Sequence, residues 1–154
     1  MYYGNKRENI QNKHRKKEKN EEKYKLVEQI VDAIVTGDMV KLTKPDNILE
    51  EFAKKNKEIN MTQLRKFFNN LNNIKIESYG NPNESVSKFM LLLPFVKYAK
   101  ARNLVDDSFV FLFEKFSEQL LEMKTPKDKA QAIKNFQEAM KYLIAYSKYY
   151  GEKK

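Results

Sequence analysis

Apolar residues recur along this chain at intervals of three and four residues, and no segment alternates convincingly with a period of two. That spacing puts apolar side chains on one face of an α-helix, whereas a half-buried strand needs strict alternation. Only four glycines and four prolines occur in 154 residues, so few turn-forming residues are available for a many-stranded sheet. The sequence therefore predicts an all-α fold, a compact bundle of five to six helices joined by short loops.

Capping residues and prolines indicate where the helices begin and end. Thr62 is the predicted N-cap of one helix, and Thr125 followed by Pro126 predicts the start of the last. Pro94 lies inside a helix predicted over residues 84–102, so we expect a kink or a restart there. The segment 80–83, with sequence GNPN, is predicted to be a loop.

The first 22 residues are polar, charged and nearly free of large aliphatic side chains. Such a segment cannot bury enough apolar surface to offset the entropy lost on ordering. We therefore predict a basic, disordered arm over residues 1–22 that can merge into the first helix, and a single helical-bundle domain over residues 23–154. Residues 1–25 contain nine Lys and Arg against four acids, so they supply +5 of the formal charge of +9.

The residue types that most enzyme sites need are scarce. There is no cysteine, and the sole histidine, His14, lies in the predicted arm, where a general base would lack fixed geometry. No glycine-rich phosphate loop occurs. The longest apolar run, residues 89–96, is too short to span a bilayer, and the N-terminus has no apolar signal core. We predict a cytoplasmic, non-enzymatic protein without cofactor, metal, membrane partner or small-molecule substrate.

Basic residues cluster at three places in the predicted helices, and such clusters favour contact with a nucleic acid. Lysine outnumbers arginine 26 to 4, which favours phosphate contact over the reading of base edges. In the last cluster the lysines recur every seven residues and so stay nearly aligned on one helix. Each cluster is equally compatible with a solvated helix surface. The candidate contacts are Arg65, Lys66, Lys97, Lys100, Arg102, Lys134, Lys141 and Lys148.

Aromatic side chains accompany two of these clusters. Tyr98 and Arg102 are four residues apart, so they can stack on one helix face. Tyr142, Tyr146 and Tyr149 follow the i, i+4, i+7 rule beside the last lysine row. These tyrosines either stack on bases or form the edge of the core, and the sequence leaves both alternatives open.

Three segments resemble motifs of one family, in the same order and with similar spacing. They are INMTQLRKFF at residues 59–68, LLLPFVKYAKAR at 91–102 and FQEAMKYLIAYSKYYG at 136–151. These resemble the "[ST]-Q-[IL]-R", "L-x-P-x-[LV]-x-Y-x-A-x-R" and "A-Y-H-[RK]-[FY]-G" elements of the small subunit of the type III-A (Csm) CRISPR effector complex of antiviral defence. The resemblance covers about residues 45–151. Ser147 stands where that pattern commonly has histidine.

The resemblance implies a five-helix bundle that is present in several copies along the complex. It implies contact with single-stranded target RNA as that strand forms a duplex with the guide RNA, and contact with other Csm subunits. Matched by position, Arg65, Lys66, Lys97 and Arg102 are the expected phosphate contacts. RNA or DNA cleavage would belong to other subunits.

Two alternatives stay open from the sequence. One is a helix-turn-helix DNA-binding protein, in which residues 46–55 form the first helix and the helix starting at Thr62 enters the major groove. The other is a structural helical adaptor that contacts only proteins and makes no contact with nucleic acid.

Overall fold

Eight α-helices and no strand occur in the computed structural model, which describes the backbone of residues 3–74 and 82–151 and the side chains of 20–74 and 84–151. The helices are α1 (Tyr3–Thr36), α2 (Val40–Thr43), α3 (Ile48–Lys55), α4 (Met61–Asn72), α5 (Pro82–Met90), α6 (Leu92–Ala101), α7 (Asp107–Glu122) and α8 (Pro126–Tyr150). Because α2 is a single turn, and α5 and α6 form one predicted helix, six longer units remain. The predicted all-α bundle is confirmed.

Phenylalanine side chains from four helices form the centre of the core. Phe113 of α7 lies 5.2 Å from Phe136 of α8 and 6.0 Å from Phe89 of α5, measured between ring centroids. The ring of Phe67 of α4 lies 6.1 Å from the ring of Phe113. All four are at most 1% exposed. Because helical spacing brings these rings to the inner faces, the core could be predicted from the apolar periodicity.

The first helix is part of the bundle. Val27, Ile30 and Ile34 of α1 are buried, and the helix packs against α3, α7 and α8. The helical backbone starts at Tyr3 and thus continues through most of the predicted arm. The side chains of residues 1–19 lie outside the described residues, so the division into an arm and a domain stays a prediction.

A break separates α5 from α6 at Leu91, three residues before Pro94. Pro94 is the third residue of α6, where a missing N–H breaks no helical hydrogen bond. The predicted restart is therefore confirmed. The predicted loop at 80–83 is wrong for its last two residues, since α5 begins at Pro82, and its first two lie outside the described residues.

The N-cap of α4 is Asn60, and the prediction of Thr62 was wrong. The Asn60 side chain accepts a hydrogen bond from the Gln63 backbone N–H at 3.0 Å, so the helix begins at Met61. Asparagine caps at least as well as threonine, so Asn60, two residues before Thr62, ends the preceding segment and caps the helix. At α8 the predicted cap is confirmed, because Thr125 Oγ1 accepts from the Asp128 N–H at 3.1 Å.

An ion pair joins α1 to the start of α7. Lys23 Nζ lies 2.7 Å from Asp106 Oδ2, and Asp106 also caps α7 by accepting from the Phe109 N–H and the Ser108 hydroxyl. Burial alone would raise the pKa of Asp106. The hydrogen bonds from Lys23, Ser108 and Phe109 and the charge of Lys23 together outweigh burial, so the pKa of Asp106 lies below its usual value.

This lowered pKa predicts an acid-sensitive contribution to stability. A carboxyl with a depressed folded-state pKa stabilises the fold above its unfolded pKa of about 4, and the contribution is lost as pH falls through the folded value. Asp106→Asn keeps a capping side chain but removes the charge. We expect it to lower the free energy of unfolding by about 1 kcal/mol at pH 7, since solvent screens a side chain that is 36% exposed.

The measurement is urea unfolding at pH 7 and again near pH 3. The difference between the two proteins should shrink as pH falls, because the unaltered chain loses the carboxylate as pH passes through the lowered pKa of Asp106. Asp107→Asn is the matched control, since Asp107 is 63% exposed and 3.8 Å from Lys100. An Asp106→Asn effect that stayed constant over this pH range would contradict the assignment.

Candidate nucleic-acid interface

The α4 helix lies between the other two helices that carry predicted basic clusters. The α4 helix packs against both α6 and α8. At its start, the Asn60 backbone N–H donates to the Leu104 carbonyl at 3.1 Å, which joins the N-terminus of α4 to the loop after α6. The α4 and α6 clusters therefore lie on elements that are tied to each other.

Arg65 and Lys66 project from the solvent side of α4. Both side chains are exposed, whereas Leu64 and Phe67 of the same helix are buried. Neither cation forms an ion pair or a side-chain hydrogen bond with a residue that the structure describes. Their charges are therefore available to an external anion.

The cations at α6 differ in their exposure to solvent and in their side-chain partners. Lys97 is exposed and has no ion pair among the described side chains. The Arg102 guanidinium lies 5.8 Å from the centroid of the Tyr98 ring, which confirms the predicted stacking. Lys100 is only partly exposed, and its Nζ lies 3.8 Å from Asp107 Oδ1. Because Asp107 already balances part of its charge, Lys100 is a weaker candidate than its neighbours.

The lysine row of α8 faces solvent. Lys134, Lys141 and Lys148 are exposed, and none of them is in an ion pair with a described residue. Glu138 is also exposed, four residues after Lys134 and three before Lys141. Burial, and to a lesser extent the neighbouring Glu138 carboxylate, raises the pKa of Tyr142. One acid therefore interrupts this row, whereas the basic cluster of α6 has none within it.

The tyrosines of α8 do not form a single exposed strip. The Tyr146 hydroxyl donates to the Leu42 carbonyl at 3.3 Å and accepts from Asn47 Nδ2 at 3.1 Å, which fixes α8 to α2 and to the start of α3. Tyr142 is partly buried, whereas Tyr149 is 75% exposed. The core-edge alternative therefore describes Tyr146, and only Tyr149 is fully open to solvent.

The exposed face of α6 was missed in the sequence. Leu91, Phe95 and Tyr98 are 60–64% exposed, although they lie in the most apolar stretch of the chain. Their spacing of four and then three residues matches that of Leu92, Val96 and Ala99, which form the buried face. Two parallel apolar stripes occur on this helix, and periodicity alone does not tell which one is buried.

Other sites receive little support from the described residues. A cleft of about 690 Å³ lies between α1, the end of α3 and the loop after α6, but lysines and acids line it in equal number. Such a balanced lining does not favour a phosphate ligand. The described part of the chain contains no group of three or more His, Cys, Asp or Glu side chains that could hold a metal. No helix in that part is long and apolar enough to cross a membrane.

The helix-turn-helix alternative needs two helices that pack against each other. Here α3 packs against α1, α2 and α8, while α4 packs against α6 and α8, and α3 and α4 share little contact. On α4, Phe67 is buried and Phe68 is partly buried against the core. The packing therefore does not favour α4 as the recognition helix of a helix-turn-helix pair.

Comparison with known proteins gives one clear result. The model of the family described as Csm2 Type III-A matches residues 39–153, which include α2 to α8 and all eight candidate cations. No curated protein and no solved structure gives a significant match. The match covers well over half of the chain and agrees with the resemblance of the three sequence motifs. The chain belongs to the Csm2 Type III-A family and is a small subunit of the type III-A Csm CRISPR complex.

Proposed function

We propose that this subunit binds the backbone of single-stranded target RNA along the guide–target duplex, without sequence preference and without catalysing cleavage. The observation that carries the proposal is the set of exposed cations on α4 and α6 that have no acid partner among the described residues, chiefly Arg65, Lys97 and Arg102. A polyanion supplies the missing counter-charge, and phosphate contacts position a strand without reading its bases.

The remaining candidates have graded support. Lys66 lies next to Arg65 and is equally exposed, so it belongs with the stronger group. The α8 row of Lys134, Lys141 and Lys148 is exposed but has Glu138 within it, and Lys100 has Asp107 nearby. We propose the α4 and α6 cations as the principal contacts and the others as secondary ones.

The proposal includes the partners and the division of labour. The partners are target RNA, its duplex with the guide, the other Csm subunits and further copies of this chain in the cytoplasm. Cleavage of RNA or DNA is assigned to other subunits. In support of this, the sole histidine, His14, precedes the residues that the family matches, and the sequence contains no cysteine.

The test with the most direct readout is Arg65→Ala in the full chain, with single-stranded RNA of several sequences. We expect about threefold to tenfold weaker binding for every sequence, and a slope of log affinity against log salt that is shallower by about one. Lys41→Ala is the matched control, because Lys41 is also exposed but lies on α2, which packs against α1, α3 and α8. A loss confined to one sequence would refute backbone contact.

Two further measurements separate the alternatives. In a competition assay with duplex DNA and single-stranded RNA, preferential binding of the duplex would favour the helix-turn-helix alternative. Photocrosslinking of 4-thiouridine target RNA in the assembled complex tests the adaptor alternative. Crosslinks to this chain that decrease with Arg65→Ala support the proposal, and an absence of crosslinks would indicate a protein-only role.

A further inference from the structure

An aromatic surface on α6 is not explained by contact with the RNA backbone. We define the α6 strip as Leu91, Phe95 and Tyr98, which are 64%, 60% and 63% exposed. They lie four and three residues apart, so they share one face of the helix. Each strip residue directly precedes a buried one, Leu92, Val96 or Ala99, so the strip lies about 100° around the helix from the buried face. Single exposed apolar residues are common, but an aligned row of three marks a contact surface.

The charges around the α6 strip have one sign. From residue 85 to residue 105 the chain has four cations and no Asp or Glu. Lys97 is exposed beside the strip, and Arg102 extends it by one turn with its guanidinium over the Tyr98 ring. Lys88, at the other end, is in an ion pair with Glu84 at 3.4 Å. The uncompensated positive charge therefore lies at the Phe95–Arg102 end of the strip.

This combination of charge and ring surface fits a particular kind of occupant. An unpaired nucleotide presents an aromatic base and a charged phosphate. Exposed aromatic rings can stack on the base while the flanking cations contact the phosphate. An apolar protein surface would cover the strip but would leave Lys97 and Arg102 without counter-charge. The local charge therefore favours a nucleic-acid strand over a protein helix.

We propose that Phe95 and Tyr98 stack on unpaired RNA bases while Lys97 and Arg102 hold the adjoining phosphates. This inference rests on the proposed function and adds direct contact with bases to it. Stacking on rings tolerates any base, because every base presents a π-face. The Arg102–Tyr98 pair holds the second ring in place before the strand arrives, which lowers the ordering cost of binding.

The test compares two RNAs that carry the same phosphate charge. One is an unstructured strand of about 12 nucleotides, and the other has abasic ribose at its central positions. Binding to the full chain is measured by fluorescence anisotropy at low salt. We expect the unaltered chain to bind the abasic strand about tenfold more weakly. The double variant Phe95→Ala/Tyr98→Ala should bind both strands equally, at about the level of the abasic complex.

Two controls separate stacking from general apolar contact. Tyr149→Ala removes a 75% exposed ring from α8 and should keep the tenfold difference between the strands. Leu91→Ala removes an exposed apolar side chain from the same strip without removing a ring, and should also keep it. Circular dichroism should show unchanged helix content for all variants, since each site is mostly exposed.

Several results would overturn the inference. These are equal binding of both strands by the unaltered chain, a preserved difference in the double variant, or no binding of either strand. If the double variant binds both RNAs normally but fails to enter the assembled complex, the α6 strip docks a protein instead. Contact with the RNA backbone is tested separately, by the salt dependence and by Arg65→Ala. A negative result for base stacking therefore does not contradict the proposed backbone contact.

Discussion

Phe113→Ala is expected to lower the free energy of unfolding by about 3–5 kcal/mol, which is a large part of the total stability of a domain of this size. Phe113 is fully buried, and its ring is within 6.1 Å of the ring centroids of Phe67, Phe89, Phe109 and Phe136. The truncation leaves a cavity at the point where α4, α5, α7 and α8 meet. It also removes several aromatic contacts, each worth about 0.5–1.5 kcal/mol.

The measurement is urea unfolding followed by far-ultraviolet circular dichroism, because the chain contains no tryptophan to report by fluorescence. Phe95→Ala is the control, since it makes the same chemical change at a ring that is 60% exposed. We expect that variant to cost less than about 1 kcal/mol. Equal costs for the two substitutions would show that the core is not centred on Phe113.

The helices and the core could be predicted from the sequence because both follow from local periodicity. The inner faces of α7 and α8, including Phe109, Phe113 and Phe136, are defined by three- and four-residue spacing within a single helix. The restart near Pro94 follows from covalent geometry, since proline cannot donate to the preceding turn. These features need no knowledge of neighbouring elements.

Whether each candidate cation is exposed or in an ion pair could not be predicted from the sequence, because this depends on contacts between helices. Lys100 is offset by Asp107, which belongs to the next helix, and nothing in the spacing on α6 indicates that pairing. The Tyr146 hydroxyl forms hydrogen bonds with the Leu42 carbonyl and the Asn47 side chain, about 100 residues away in the chain. The sequence identifies the candidate residues by type and spacing, but it could not tell which of them remain open to solvent.

Simultaneous loss of Arg65, Lys97 and Arg102 should have the largest effect on RNA binding. Each cation is exposed and without an acid partner among the described residues, so each can release counterions from a phosphate. For the triple alanine variant we expect about 100-fold to 1,000-fold weaker binding to single-stranded RNA at low salt, and a salt slope shallower by about two. The fold should be nearly unaffected, because only the Arg102–Tyr98 contact, worth about 0.5–1 kcal/mol, is lost.

A charge-matched triple variant decides whether the position of these cations matters or only their number. Lys25→Ala/Lys41→Ala/Lys44→Ala also lowers the formal charge from +9 to +6, since three exposed lysines are removed from α1, α2 and the residue after α2, away from α4, α6 and α8. Long-range attraction depends on the total charge and falls off with added salt, so the control should weaken binding only a few-fold at low salt. If both triple variants lost affinity to the same extent, the α4 and α6 cations would not form a defined RNA site. A large difference between them would place the strand on these two helices.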